Sequence, residues 1–449
     1  MEQPTIFALA SGAGRAGVAV IRLSGPAAAG ALTALGGLPP PAPREAVLRR
    51  LADPETGAEL DHALALYFPA PNSFTGEDVV ELHVHGGPAV IEGVYRALEA
   101  QPGLRLAEPG EFTRRAFENG KMDLTAAEAV ADLVDAETDG QRRQALRQMS
   151  GALGAVYEGW RDKLVQALAL YEAEIDFPDE GLPDALARRA APLIDALDAE
   201  MTAHLADAHR GERVREGYRV AIIGAPNAGK SSLLNALAQR DAAIVSEIPG
   251  TTRDVVEVRL VLAGYPVWLA DTAGLRQARD VIEAEGVRRA LARAEDSDLR
   301  IGVIDRGSDE LSVDAFASLR ANDIVVLSKA DTRPGAAALP AQQIAEQRGF
   351  TVFAASAVTR AGIAEIEAAL GARVARALGR EEAPALSRAR HRQLVETARD
   401  AVRSARQAGD AELAAEDLRL AARALGRITG RVDVELVLDA IFAEFCIGK

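Results

Sequence analysis

The most specific chemistry in the chain sits in Gly224-Ala225-Pro226-Asn227-Ala228-Gly229-Lys230-Ser231. Its glycine spacing, lysine and hydroxyl match the G-x-x-x-x-G-K-[ST] loop, in which backbone N–H groups close around phosphate oxygens. The flanking sequence supplies the required setting: Arg219 to Ile223 reads as a short strand, and Ser232 to Gln239 reads as a helix whose N-terminus would face the anion. Lys230 brings a point charge, and the Ser231 hydroxyl can ligate Mg²⁺. Three further stretches each end an apolar strand: Asp271-Thr272-Ala273-Gly274 after Val267 to Ala270, Ser328-Lys329-Ala330-Asp331 after Ile324 to Leu327, and Ser356-Ala357 after Thr351 to Ala355. Asp271 can hold Mg²⁺ through water, and the Gly274 amide can meet a terminal phosphate.

The second and third stretches read as base-recognition loops. Guanine presents a ring N–H and an amino group side by side, and one carboxylate can accept both, so Asp331 selects guanine over adenine. The ordered set therefore points to GTP. Two departures matter. Ser328 stands where most GTPases have Asn, so side-chain bonds to the phosphate loop or the base are expected to be lost. Leu275 follows the DTAG stretch, and an alkyl group cannot orient an attacking water, so another residue must do so.

The elements that position these residues follow from periodicity. Residues 1–118 read as an α+β segment, with strand-like Val18 to Leu23 and Val79 to Val84 and a loop at Pro39, Pro40, Pro41 and Pro43. Thr125 with Glu128 has capping-box spacing and opens an Ala-rich helical region, 119–213. Strand and helix signals alternate through 214–379, as in a doubly wound parallel sheet. Residues 380–449 turn helical again, with Leu413, Leu418, Leu420 and Leu425 in a charged background and the apolar Val434 to Ile447 at the end. The economical arrangement is one discontinuous helical domain into which an α/β domain is inserted.

Composition bounds the partners. The 449 residues carry 51 Lys+Arg against 66 Asp+Glu, a net charge of −15, which excludes a globally basic nucleic-acid wrapper and leaves any RNA contact local or shared. One cysteine, Cys446, excludes an internal disulfide and a Cys-based zinc cage, and it suits a reducing, cytoplasmic setting. No apolar run is long enough to cross a bilayer, and the first residues lack the pattern of a secretory signal.

With the loop at 224–231, the stretch AAIVSEIPGTTRD from Ala242 to Asp254, DTAGLR from Asp271, and the terminal Phe445-Cys446-Ile447-Gly448-Lys449, the chain resembles the MnmE (TrmE) family of tRNA-modification GTPases over nearly its whole length. SFTGEDVVELHVHGGP (73–88) and EPGEFTRRAFENGKMDL (108–124) resemble that family's folate-binding domain. The resemblance implies a GTP site formed by Asn227, Ala228, Gly229, Lys230, Ser231, Ser232, Ser246, Glu247, Ile248, Pro249, Gly250, Thr251, Thr252, Asp271, Thr272, Ala273, Gly274, Ser328, Lys329, Asp331, Ser356 and Ala357. It implies K⁺ held by Asn227, Ser246, Ile248 and Thr251 in place of an arginine finger, Thr252 completing the Mg²⁺ shell begun by Ser231, and Glu283 orienting the water. It also implies a tetrahydrofolate one-carbon donor, 5-formyl or 5,10-methylene, bound by Arg22, Glu81, Lys121 and Lys449. A homodimer and a flavoprotein partner, MnmG, follow from the same resemblance. So does the addition of an aminomethyl or carboxymethylaminomethyl group to carbon five of the wobble uridine. An alternative is a regulatory RNA- or ribosome-binding GTP switch without one-carbon chemistry.

Four other features have competing readings. Cys446 is either a small packing residue or a direct participant in the modification. His83 and His85 share a strand face and form a metal pair only if a third ligand exists. Arg388, Arg390, His391 and Arg392 read as a solvated helix face or as tRNA phosphate contacts. Glu174, Asp176, Asp179 and Glu180 read as a solvated loop.

Overall fold

The computed structural model describes residues 3–176, 186–239, 257–271, 295–306, 319–332, 347–379, 384–432, 435–443 and 445–448. It divides into two compact units, residues 1–134, 146–198 and 394–449 in one and residues 135–145 and 199–393 in the other.

The first unit opens with a six-stranded sheet of order β3-β4-β5-β2-β1-β6. Its strands are β1 (Thr5–Leu9), β2 (Ala16–Ser24), β3 (Val47–Ala52), β4 (Glu59–Phe68), β5 (Val79–Gly86) and β6 (Leu104–Leu106). Alternation in β2 sets the two faces: Ala19, Ile21 and Leu23 are buried with helices α1 (Ala28–Gly36) and α2 (Pro88–Glu99), while Val20 and Arg22 point the other way. On that second face Arg22 pairs directly with Glu81, and Leu48, Leu64, His83 and Val20 line up across β3, β4, β5 and β2. Leu48 and Leu64 are exposed there. Helix α3 (Glu111–Glu118) covers the β1 end, where Phe112 packs with Ile6, Ala8 and Phe74.

Helix α4 (Leu124–Val134) begins about two residues earlier than the sequence suggests, capped at Asp123 rather than Thr125. Asp123 Oδ1 accepts from the Ala126 N–H at 2.8 Å and from Thr125 Oγ1 at 2.8 Å, so Asp123 is the cap. Thr125 and Glu128 are buried inside the helix, and the capping box expected of them is replaced by this Asx cap. Helices from both ends of the sequence then pack in the same unit: α6 (Ala152–Asp176) lies along the helix Ala411–Thr429. That packing uses Leu418 and Leu425, both buried, whereas Leu413 and Leu420 are exposed; a 3.6-residue period cannot turn all four inward. Glu174 and Asp176 are exposed residues in the last turn of α6 rather than in a loop, and Asp179 and Glu180 lie outside the described residues.

In the second unit, β7 (Tyr218–Gly224) is flanked by β9 (Tyr265–Asp271) and β10 (Leu299–Asp305) in a sheet of order β12-β11-β10-β7-β9-β8. The neighbours are β8 (Glu257–Leu262), β11 (Ile324–Ser328) and β12 (Thr351–Ala354), and only the edge strand β8 runs antiparallel. Strand order reverses direction at β7, so the crevice beyond its carboxyl end is the topological switch point where α/β sheets bind ligands. The segment 135–145 belongs to this unit and is fastened to the β8–β9 hairpin: Gly140 N donates to Gly264 O at 2.8 Å, and Arg259 pairs with Glu137 while stacking 5.4 Å from the Trp268 ring. Any Cβ on Gly140 would meet the Tyr265 ring at 2.4 Å, which shows how closely the two segments approach.

Candidate functional site

Phosphate chemistry is assembled at the mouth of β7. Gly224 ends the strand at φ 154°, opposite Val303 of β10, and a Cβ there would lie 2.2 Å from the Val303 carbonyl oxygen. Only glycine lets the chain turn that close to its neighbour strand. The loop then places Asn227 at φ 60° and exposed, buries Ala228, and uses Gly229 as the N-terminal flank of helix α9 (Lys230–Ala238). Lys230 is buried, and its Nζ donates to Gly224 O at 2.9 Å and Ala225 O at 2.8 Å, so the ammonium is aimed across the loop. Ser231 Oγ donates to Asp271 Oδ2 at 2.5 Å; Asp271 closes β9 beside β7. A hydroxyl and a carboxylate in contact, both hard oxygens, are the donor set that suits Mg²⁺.

Ser232 follows in the first turn of α9. The residues expected to read the base lie at the ends of β11 and β12, on the same edge. Ser328 is buried, and its Oγ donates to Ala228 O at 2.5 Å and lies 3.2 Å from Ile304 O. The expected loss of the loop bond at this position does not occur, because serine itself reaches the phosphate loop. Lys329 takes φ 54° and pairs with Asp305 Oδ2 at 2.7 Å, while Asp331 is exposed. Ser356 is fully buried, and its Oγ caps the turn by accepting from Thr359 N at 3.1 Å; Ala357 is partly buried. Sequence reasoning missed Asp305 and Arg360. Asp305 ends an apolar strand at the ligand edge, a signal that was available; Arg360, which donates to Ala236 O of α9 at 3.1 Å, has none. Ser246, Glu247, Ile248, Pro249, Gly250, Thr251, Thr252, Thr272, Ala273, Gly274 and Glu283 lie outside the described residues.

A second cluster lies on the open face of the first unit's sheet. Arg22 Nε and Nη2 donate to Glu81 Oε1 at 3.0 and 2.9 Å, leaving Oε2 3.5 Å from His83 Nε2. The guanidinium stacks 5.6 Å from the Phe74 ring and 5.9 Å from the Phe112 ring, an arrangement that holds a cation by its face as well as its edge. His83 Nε2 is buried without a hydrogen-bond partner, and so is a polar atom that a ligand with hydrogen-bonding edges could satisfy. A pterin ring fits this donor and acceptor set. The sequence raised His83 only as half of a metal pair with His85. His85 Nδ1 instead bonds Asp61 Oδ1 at 2.7 Å, and no cluster of three metal-ligating side chains occurs among the described residues.

Behind Arg22, Arg115 is buried and bonds Glu77 at 3.1 Å and Glu111 at 2.9 Å, while Ser24 Oγ donates to Glu77 at 2.7 Å. This network fixes the loop that carries Phe74. Burial tends to raise the Glu111 carboxyl, but bonds from Arg105, the Glu108 N–H and Arg115 win and hold it below the usual carboxylate range. Lys121 Nζ donates to Pro71 O at 2.8 Å at the other end of the same loop.

The C-terminal motif closes on this unit. Phe445 is buried with Phe442 and Leu438, Ile447 bridges Pro109, and Gly448 (φ 99°) has no room for a Cβ, which would lie 2.0 Å from the Leu9 carbonyl oxygen. Cys446 is exposed, so the packing role considered for it does not hold; Lys449 lies outside the described residues. His391 is fully buried, and Arg392 bonds Glu212 at 3.0 Å, so residues 388–392 do not form one solvated, phosphate-contacting face.

Family models match both parts of the chain: the TrmE N-terminus of a GTP-binding protein at residues 5–121 and the MnmE helical domain at residues 124–446. The tRNA modification GTPase MnmE of Parvibaculum lavamentivorans is 60% identical over 449 residues, 99% of this chain and 100% of the relative. The protein of the same description from Maricaulis maris is 57% identical, covering 99% of each chain. This chain belongs to the MnmE family of tRNA modification GTPases. A Caulobacter vibrioides relative of the same description is 54% identical, again over 99% of each chain. Among the described residues no helix is long and apolar enough to cross a membrane.

Proposed function

We propose that this GTPase hydrolyses GTP in a K⁺-activated reaction and, with a flavoprotein partner, modifies carbon five of the wobble uridine of certain tRNAs. The one-carbon unit comes from a tetrahydrofolate derivative, and the work is done in the cytoplasm. The observation that carries the reading is the meeting of the phosphate loop, the Ser231–Asp271 pair and the base-reading loops on one edge of the sheet. In this reading residues 214–379 are the nucleotide-binding domain, inserted between helical parts 119–213 and 380–449 behind the N-terminal domain 1–118.

On binding, Lys230 exchanges the carbonyls of Gly224 and Ala225 for phosphate oxygens, and the amides at the start of α9 hold the remaining charge. Mg²⁺, when bound, neutralises charge on the phosphates; Ser231 and Thr252 would hold it, with Asp271 orienting Ser231. Asn227, already exposed at the loop crest, joins Ser246, Ile248 and Thr251 in holding K⁺. Glu283 orients the attacking water, a task Leu275 cannot perform. Asp331 accepts the guanine N–H groups, and Ser356 and Ala357 close over the base. At the second cluster, Glu81 Oε2 and His83 bind pterin polar edges, while Arg22, Lys121 and Lys449 suit the carboxylates of the glutamyl tail. The exposed apolar Leu48 and Leu64 beside them support a homodimer formed through this face.

Two measurements test the reading. GTP turnover is expected to be at least about tenfold faster in KCl than in NaCl, as for loss of one preorganised charge in phosphoryl transfer; equal rates would remove the cation and the role of Asn227. In cells lacking this protein, the wobble nucleosides are expected to lose only carbon-five-modified uridines. An unchanged nucleoside profile would reject the tRNA role.

A further inference from the structure

Guanine has two polar edges: N1–H and the N2 amino group donate, while O6 and N7 accept. The inference drawn here rests on the GTP reading above. If Asp331 takes the donor edge, the acceptor edge calls for a donor from the chain, and the buried hydroxyl of Ser328 at the start of the same loop is the side chain placed to give one. Its proton is already committed. Ser328 Oγ is 2.5 Å from Ala228 O and 3.2 Å from Ile304 O, and both neighbours are carbonyl acceptors. A hydroxyl has one proton to donate, whereas an asparagine amide has two and could serve the phosphate loop and the base together. The oxygen lone pairs offer nothing to N7, which is itself an acceptor.

The geometry points to Ser328 as a tether between the base-reading loop and the phosphate loop that makes no hydrogen bond to the purine, so that guanine is read on its N1/N2 edge without a side-chain donor to N7. The tether keeps the two loops in register; the price is weaker hold on the nucleotide and faster exchange.

The test compares GDP with 7-deaza-GDP, in which N7 is replaced by C–H, by calorimetric titration of the full chain with Mg²⁺ and K⁺ present. The two dissociation constants are expected to agree within about twofold, because a bond that is not made costs nothing to remove. A loss of about threefold to tenfold or more for 7-deaza-GDP, the usual worth of one hydrogen bond, would overturn the inference. Ser328→Ala gives a second readout. Loss of the tether is expected to weaken both nucleotides by the same factor, roughly threefold to tenfold; weakening of GDP alone would show that the hydroxyl reaches N7. Ser328→Asn is expected to tighten GDP relative to 7-deaza-GDP. Failure of the wild-type chain to bind GDP at all would instead reject the nucleotide reading itself, and the inference with it.

Discussion

Asp331 is the residue on which the proposed choice of guanine rests. It is exposed, lies just beyond β11, and in the proposed complex its carboxylate accepts two donors from guanine. Asp331→Asn reverses one hydrogen-bond direction, so the variant is expected to prefer xanthosine over guanosine triphosphate by about a hundredfold or more, measured as the ratio of kcat/KM values. Retained guanine preference would show that another group reads the base. At this scale a residue's placement was legible wherever its chemistry agreed with its position at the end of an element, as for Lys230 and Ser231 at the start of α9 and Asp271 at the end of β9. It was not legible where the role depends on a partner far along the chain. Ser328 looked like the loss of a loop contact, yet its hydroxyl reaches Ala228, 100 residues away. His83 looked like half of a metal pair until its register opposite Val20, beside the Arg22–Glu81 pair, was known. Cys446 reads from the sequence as either a packing residue or a participant in the modification; it follows the buried Phe445 and is itself exposed, which removes the packing alternative.

Helix α3 shows how an element can matter without offering a reacting group. It presents Phe112 behind the Arg22 guanidinium and is anchored by Glu111, whose two oxygens accept from Arg105, Arg115 and the Glu108 N–H. Glu111→Gln leaves Arg115, a buried cation, with weaker acceptors, and is expected to cost about 2 to 4 kcal/mol at pH 7 in urea unfolding. The sign with pH follows from the lowered carboxyl. Its stabilisation is complete above the unfolded value of about 4.3 and is lost as pH falls through the folded value, so wild type and variant should converge in acid. A constant gap from pH 7 to pH 3 would mean that packing, not charge, sets the difference. Element types were readable from period and strand-end glycines, as β2, β5, β7 and α9 show. Helix starts and helix faces were less so: Asp123 caps α4 ahead of Thr125, and the four leucines 413, 418, 420 and 425 could be sorted only once the axis of their helix against α6 was fixed.

For the whole molecule, residues 135–145 keep company with the α/β sheet although helix-forming sequence surrounds them. Gln141 Nε2 donates to Arg215 O at 2.8 Å and Gln144 Nε2 to Gly211 O at 3.0 Å, adding to the contacts at Gly140 and Arg259. A fragment of residues 214–379 is therefore expected to melt about 5 °C or more below the same sheet in the full chain, because it bares Tyr265 and leaves Arg259 without Glu137. Equal melting of the fragment and the full chain would show that the 135–145 segment adds nothing to the sheet's stability. No local signal in the sequence announces this attachment, since it is made between residues 67 or more positions apart.

The seat of Gly448 on the Leu9 carbonyl has a bearing on biosynthesis. Gly448 lies more than 400 residues beyond Leu9, and at about 5 to 20 residues per second the interval between their syntheses is roughly 20 to 90 seconds. During that time the amino-terminal sheet can fold on the ribosome, but its seam with the tail stays open. The thiol-bearing segment is sewn on only after that interval, so a nascent polypeptide holds a finished sheet and an open seam.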